Sequence, residues 1–181
     1  MENKYELYRK IRYQRTYRTL GKMSLGRVVV GFLLLLSTLF ISGLVSQRIA
    51  ARGNFHLAET MMIAPQWMEK YKPETKAFIE AGVLYQDGEY EAAAEAFAAI
   101  EEVDAAAAMY SLSMLKISSE KLAAGEMDAA YDAFTAVDFS LLTEGTEEYF
   151  SLCEALYENY ASLDVQKADN LKSLLELKTE S

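Results

Sequence analysis

Gly88–Glu101 reads GEYEAAAEAFAAIE, and Gly125–Asp138 reads GEMDAAYDAFTAVD. The second stretch repeats the first at an offset of 37 residues. Gly88/Gly125, Glu89/Glu126, Ala92/Ala129, Ala93/Ala130, Ala96/Ala133, Phe97/Phe134 and Ala99/Ala136 are identical. Tyr90/Met127, Glu91/Asp128, Ile100/Val137 and Glu101/Asp138 keep size or charge. A repeat of this period is long enough for two helices and a turn, and two or more such units stack into a helical-hairpin array.

Working outward from the glycines, a helix is predicted ahead of each, over Pro73–Asp87 and Asp104–Ala124. Pro73 suits a first helical position and Asp104 an N-cap. Gly88 and Gly125 stand where a tight turn needs a residue free of the Cβ penalty. The helix after each turn puts Tyr90, Ala93, Phe97 and Ile100 on one face, and Met127, Ala130, Phe134 and Val137 repeat it. Alanines let two helices approach closely, and the phenylalanine fills the groove left between them. Ala81 and Ser118, seven residues before each glycine, are the matching small positions on the first helices.

A small residue, a large apolar residue, G-x-Y, an alanine three later and a phenylalanine four after that resemble the tetratricopeptide repeat, in its alanine-rich bacterial form. Ala81, Leu84, Gly88, Tyr90, Ala93, Phe97 and Ile100 carry the match in the first copy. Ser118, Gly125, Met127, Ala130, Phe134 and Val137 carry it in the second. There Lys121 stands for the large apolar residue and Met127 for the tyrosine, and neither copy has the family's terminal proline. The two copies cover roughly residues 75–140. The resemblance implies an all-α array of short hairpins whose business is protein–protein contact rather than catalysis.

A third hairpin is expected beyond them. Tyr149, Leu152, Cys153, Leu156 and Tyr160 form a helical stripe, and Asp164 can cap a last helix carrying Ala168, Leu171, Leu174 and Leu175. It lacks the turn glycine, as terminal units of arrays often do. Residues 139–146 read as a longer connection, and the tail KTES is expected to fray.

Ahead of the repeats, Val28–Gln47 (VVVGFLLLLSTLFISGLVSQ) holds no charge. Twenty helical residues rise about 30 Å, the thickness of a bilayer core. Its rivals, a buried core helix and a cleaved signal peptide, fit less well. A signal peptide's apolar region is shorter, and Ile41–Ser42–Gly43 and Leu44–Val45–Ser46 are poor cleavage sites because the first position is bulky. The expected division is a basic head over 1–22, a transmembrane helix over 23–48, a juxtamembrane linker over 49–72 and the repeat domain over 73–181.

The chain's 181 residues carry a net charge of −9, unevenly distributed. Residues 1–27 hold eight Lys and Arg against two Glu, residues 28–53 hold two Arg, and residues 54–181 hold 25 acidic against eight basic side chains. Eight cations before the span and two just after it place the N-terminus in the cytoplasm and the acidic body outside the cytoplasmic membrane. Arg9, Lys10, Arg12, Arg15, Arg18, Lys22 and Arg27 suit an anionic inner leaflet, with Tyr5, Tyr8, Tyr13 and Tyr17 at headgroup level. Tyr13, Tyr17 and Leu20 are spaced for a short amphipathic helix on that surface. A partner protein could use the same face. Nucleic-acid binding is the competing reading of a basic, aromatic segment, but the span abuts it and the acidic body would repel a polyanion.

In the linker, Leu57, Met61 and Met62 are spaced like a helix face, and Pro65 ends or restarts that helix. Met61, Met62, Trp67 and Met68 either pack on the body or at the outer membrane interface, or contact a partner, since Met and Trp suit adaptable surfaces. One His and one Cys exclude most metal sites and nucleophile–His chemistry. His56 reads as solvated and Cys153 as core. No phosphate-cradling, zinc-binding, redox or nucleophile-elbow motif is present. The carboxylate clusters Glu101, Glu102, Asp104 and Glu144, Glu147, Glu148 read as solvated faces. No catalytic residue, metal ligand or cofactor is therefore assigned, and no enzyme is expected.

The sequence supports two functions. One is a membrane-anchored scaffold or adaptor docking a protein partner, itself a membrane or envelope protein; its architecture is similar to the ancillary repeat factors of secretion and cell-envelope complexes. The other is a structural subunit held in a membrane complex through its span, packing through Gly31, Ser37 and Gly43. Alanine- and glutamate-rich hairpins offer few Asn, Arg, Lys or aromatic groups for a bound peptide, which favours protein docking over peptide capture.

Overall fold

A computed structural model describes residues 25–101, 103–142 and 145–180. The described residues are all-helical: nine α-helices, one 3-10 turn and no strand. The basic head, with Arg9, Lys10, Arg12, Arg15, Arg18 and Lys22, lies outside them. The chain divides into two compact units, Met1–Ser42 and Gly43–Ser181.

Helix α1, Leu25–Ala50, begins in the first unit. Its residues Gly26–Ala50 are long and apolar enough to cross a membrane. Val28–Val30 and Phe32–Leu36 are exposed, as are Gly31 and Arg27. Ser37, Thr38 and Ser42 satisfy their hydroxyls on the helix, whereas the buried Ser46 Oγ has no hydrogen-bond partner among the described residues. Ser37 Oγ donates to Leu34 O at 2.8 Å, Thr38 Oγ1 to Leu34 O at 2.6 Å and Ser42 Oγ to Leu39 O at 2.9 Å. A hydroxyl bonded to its own helix costs little in a medium without water.

The second unit opens with the last turns of α1, where Gly43, Ser46 and Ala50 form a buried side. Then come α2, Phe55–Thr60, and α3, Pro65–Tyr71. Pro65 restarts the chain as a helix, after Ala64 at φ 56°. The segment expected as a linker is therefore largely helical and built into the body. Phe55 and Ala58 are buried with Phe78, Ile79, Ala81, Ala93, Phe97 and Ala106 in the first core.

Helices α4 (Pro73–Gln86) and α5 (Tyr90–Ala98) form the first helix–turn–helix pair, and α6 (Asp104–Ala123) and α7 (Met127–Thr135) the second. Pro73 takes the first helical position, as expected. Asp104 is not the cap: Val103 holds that place and the helix starts at Asp104. Both turns close in the same way. Gly88 and Gly125 sit at φ 84° and 79°. The N–H of Glu89 bonds Leu84 O and that of Glu126 bonds Lys121 O, both at 2.9 Å. The glycine N–H groups bond Tyr85 O and Leu122 O. This six-to-one, five-to-two pairing satisfies the last carbonyls and needs a left-handed residue between them.

The chain then passes a 3-10 turn, Phe139–Leu141, and forms α8 (Thr146–Tyr160) and α9 (Val165–Glu180). The tail expected to fray is helical as far as Glu180. Asp164 caps α9 as predicted, its Oδ1 accepting from Gln166 N at 3.0 Å and Lys167 N at 3.2 Å. Tyr149, Leu152, Cys153, Leu156, Tyr160, Ala168 and Leu171 are buried with Leu115, Ala130 and Phe134 in the second core. Each such aromatic or leucine contributes about 1.5–3 kcal/mol by leaving water. Lys167 ties α9 back to the second pair: its Nζ lies 2.6 Å from Asp128 Oδ1 and over the rings of Tyr131 and Tyr160 at 4.8 and 4.7 Å.

Candidate protein-docking surface

The residues singled out by the repeat divide into core and turn. Ala81, Ala93, Phe97, Ala130 and Phe134 are at most 1% exposed. Leu84, Ile100, Met127, Val137 and Tyr90 are half-buried against the clusters. Ser118 is fully buried and donates from Oγ to Ala130 O at 2.7 Å. The fully buried ones build the body, and the half-buried ones pack on it while keeping part of their surface.

The available surface is made by other residues, on the helices that begin each pair. Tyr85 and Gln86 at the end of α4, Met109, Leu112 and Lys116 on α6, and Glu148 at the start of α8 line a cleft of about 280 Å³ whose floor includes Phe55. Gly145, at φ 81°, opens α8 beside it, and a Cβ there would meet Leu112 at 3.3 Å and Leu115 at 3.4 Å. Lys116 Nζ reaches Glu148 Oε2 at 2.6 Å, joining α6 to α8 across the cleft. Burial works against the Lys116 charge, but the hydrogen bond and charge of Glu148 outweigh it and hold the ammonium above its ordinary pKa. At the other end Gln86 Nε2 donates to Gly53 O at 2.7 Å, and Gln86 Oε1 accepts from His56 N at 3.0 Å. His56 is solvent-exposed, and its Nε2 lies 2.9 Å from Asp87 Oδ1. The cleft thus offers an apolar floor, a tyrosine, an amide and a pre-formed ion pair, which is the makeup of a surface that receives a side chain or a helix edge.

A second cleft, of about 310 Å³, lies where α2 and α3 meet α4 and is lined by Met62, Glu59, Gln66, Glu69, Lys76 and Glu80. Lys76 Nζ stands 3.0 Å from Glu80 and 3.5 Å from Glu69, so its one cation is already engaged. The hydrogen bond and charge of Glu80 and Glu69 raise its pKa against burial.

Of the four residues offered as a partner contact, the structure separates one from the rest. Met61 is exposed and Met62 and Trp67 are half-buried. Met68 is 0% exposed, its Sδ packed against Gly43 of α1. It is a core residue, because the absence of a Cβ at Gly43 leaves room for it. The sequence reading also missed Tyr85, Met109, Leu112, Lys116 and Glu148. The signal was present: these positions lie on the first helix of each pair or on α8, off the face that closes the hairpin. The hairpins were expected to offer few aromatic and basic groups, and the cleft holds one tyrosine and one lysine, the lysine paired with Glu148. Among the described residues no group of three His, Cys, Asp or Glu side chains is placed to hold a metal ion. Compared with protein-family models, curated proteins and solved structures, the chain matches none.

Proposed function

We propose that this chain is a membrane-anchored adaptor of tetratricopeptide-like hairpins that docks a protein partner outside the cytoplasmic membrane. Helix α1 is the anchor, its N-terminus is cytoplasmic, and the cleft between α4, α6 and α8 receives the partner. The observation that carries the reading is the cleft itself: Tyr85, Met109 and Leu112, each half-buried, stand around a fixed ion pair where three helices meet. What supports the anchor is a helix of membrane length with eight cations on one side.

The test is in-cell photo-crosslinking of the full chain with benzoyl-phenylalanine placed at Tyr85 or Leu112 in the cleft, and at Ala98 or Ala136 on exposed helix ends. A single defined protein adduct from the cleft positions, absent from the other two, is expected. Adducts from all four, or from none, overturn the docking reading. Orientation is read separately with Glu158→Cys, an exposed position of α8, and a membrane-impermeant maleimide on intact cells; labelling only after permeabilisation would reverse it.

The second reading, a structural subunit held through its span, draws on the uncovered surface of α1, where nothing of the chain lies within 4 Å of a Cβ added at Gly31. A partner that copurifies with the span alone favours it.

A further inference from the structure

We propose that α3 and the turn before it lie in the headgroup layer of the membrane on the body side, with Trp67 and Tyr71 inserted among the lipids. The inference rests on reading α1 as the membrane span, and its occupant is the lipid surface itself.

Met68 carries the placement. Its Sδ lies 3.1 Å from where a Cβ on Gly43 would sit, so α3 packs directly on α1 at that residue. Gly43 belongs to the charge-free run and precedes Arg48 by five residues, about 7 Å along the helix axis. The interfacial layer outside a bilayer's hydrocarbon core is only about 5–7 Å thick on each side. Gly43 lies only four residues inside the end of the charge-free run, so an element that touches it stands at the membrane boundary and not in bulk water.

The faces of α3 agree. At about 100° per residue, Trp67 and Tyr71 fall on the side next to Met68 and opposite Glu69. Glu69 turns to Lys76 and the acidic cleft. Tyr71 is 58% exposed and Ile63, just ahead of the helix, 53%. The Trp67 and Tyr71 rings lean together at 5.2 Å, a rigid aromatic pair with its polar atoms free to reach headgroups. Exposed Ile63 and Met61 are unfavourable in water and favourable at the edge of the acyl region, where Trp and Tyr also concentrate. Arg48 and Arg52 are exposed at and just past the end of α1 and Lys70 on α3, and Lys70 Nζ lies 5.3 Å from the Tyr71 ring centroid. Long cationic side chains so placed reach lipid phosphates while their stems cover apolar surface.

Trp67 is the chain's one tryptophan, so intrinsic fluorescence reads this position alone. The experiment reconstitutes the full chain in phosphatidylcholine–phosphatidylglycerol vesicles, some with acyl chains brominated near the headgroup and others near the chain end. The expected result is a loss of emission that is strongest for bromine near the headgroup, with weak quenching by aqueous acrylamide. In a Trp67→Phe chain carrying Glu158→Trp, emission is expected to ignore bromine and respond to acrylamide. These vesicles contain no other protein, so quenching by bromine separates lipid from a protein occupant. Emission at Trp67 that ignores bromine and is quenched by acrylamide overturns the proposal. Flotation of the same vesicles after alkaline extraction checks the span: a chain that does not float overturns the anchor reading, whereas a chain that floats without bromine quenching overturns only the placement of α3.

Discussion

The two helix–turn–helix pairs are built from one pattern and covered by different neighbours. Phe97 and Phe134 are equally buried, Ala93 and Ala130 likewise, and both turns close through the same pair of hydrogen bonds. Beyond the turn they diverge. Phe97 meets Phe78 at 5.6 Å, and Phe78 meets Phe55 of the juxtamembrane helix at 5.7 Å. Phe134 stacks on Tyr149 of α8 at 4.7 Å. The first pair has apolar Ala81 where the second has Ser118 bonded to Ala130 O. It has Gly82, with the Phe55 ring seated on it, where the second has Ser119. Repeated residues close each hairpin on itself, and unrepeated residues decide what stacks against it.

The harshest way to break this comparison is Phe97→Asp or Phe134→Asp. Each places a carboxylate in a filled groove and is expected to cost more than about 4 kcal/mol. Loss of the cooperative thermal transition in circular dichroism is the readout, and full retention in both variants would end the repeat reading. Gly82→Ile comes next. Its side chain would occupy the Phe55 ring position, with an expected loss of about 1–3 kcal/mol. Ser119→Ile, half-exposed in the second pair, should change the melting temperature far less. Adding Phe55→Ala to Gly82→Ile should recover part of the loss, a coupling that a denaturant titration of the four variants measures.

Alkali should separate the two cores. Burial pushes the Cys153 thiol from 9.0 up to about 12 and, in the same core, the Tyr149 hydroxyl from 10.0 up to about 12. Above pH 9 the unfolded thiol ionises while the folded one stays neutral, so stability present below pH 9 is lost as pH rises towards 12. The loss from Cys153 is on the order of 2 kcal/mol by about pH 11. Cys153→Ala should flatten the fall of melting temperature between pH 9 and 11; an unchanged slope would deny the thiol this role. The smallest effect expected is that of Ser118→Ala, about 1 kcal/mol for one buried hydrogen bond.

What was legible followed from local chemistry. Glycines at left-handed turns, Pro73 at a helix start, Asp164 at a cap and an uncharged run of helical length each declare themselves within a few residues. What was illegible depended on contacts distant in sequence. Nothing near Phe55 or Met68 names Gly82 or Gly43 as its seat. One clue existed: Gly82 stands mid-helix, where glycine costs about 1 kcal/mol against alanine, so a close approach by another group was implied. The cleft was hidden for the same reason, since Tyr85, Lys116 and Glu148 converge only when three helices pack. The helix starting at Asp104 was missed as to its cap by one residue, the ordinary slack of a helix end.

The folding of residues 49–72 into the body bears on how a partner is caught. As a flexible tether, those 24 residues would let a domain sweep a sphere of roughly 27 Å, five to six ångströms times the square root of their number. Phe55 on Gly82 and Met68 on Gly43 pack those residues into the body instead. A tethered domain searches and then loses its freedom on binding; a bracketed one has already lost it in folding. On the adaptor reading proposed above, a partner would then meet a cleft whose surroundings within Gly43–Ser181 are ordered before binding, so that cost would fall on folding and not on association.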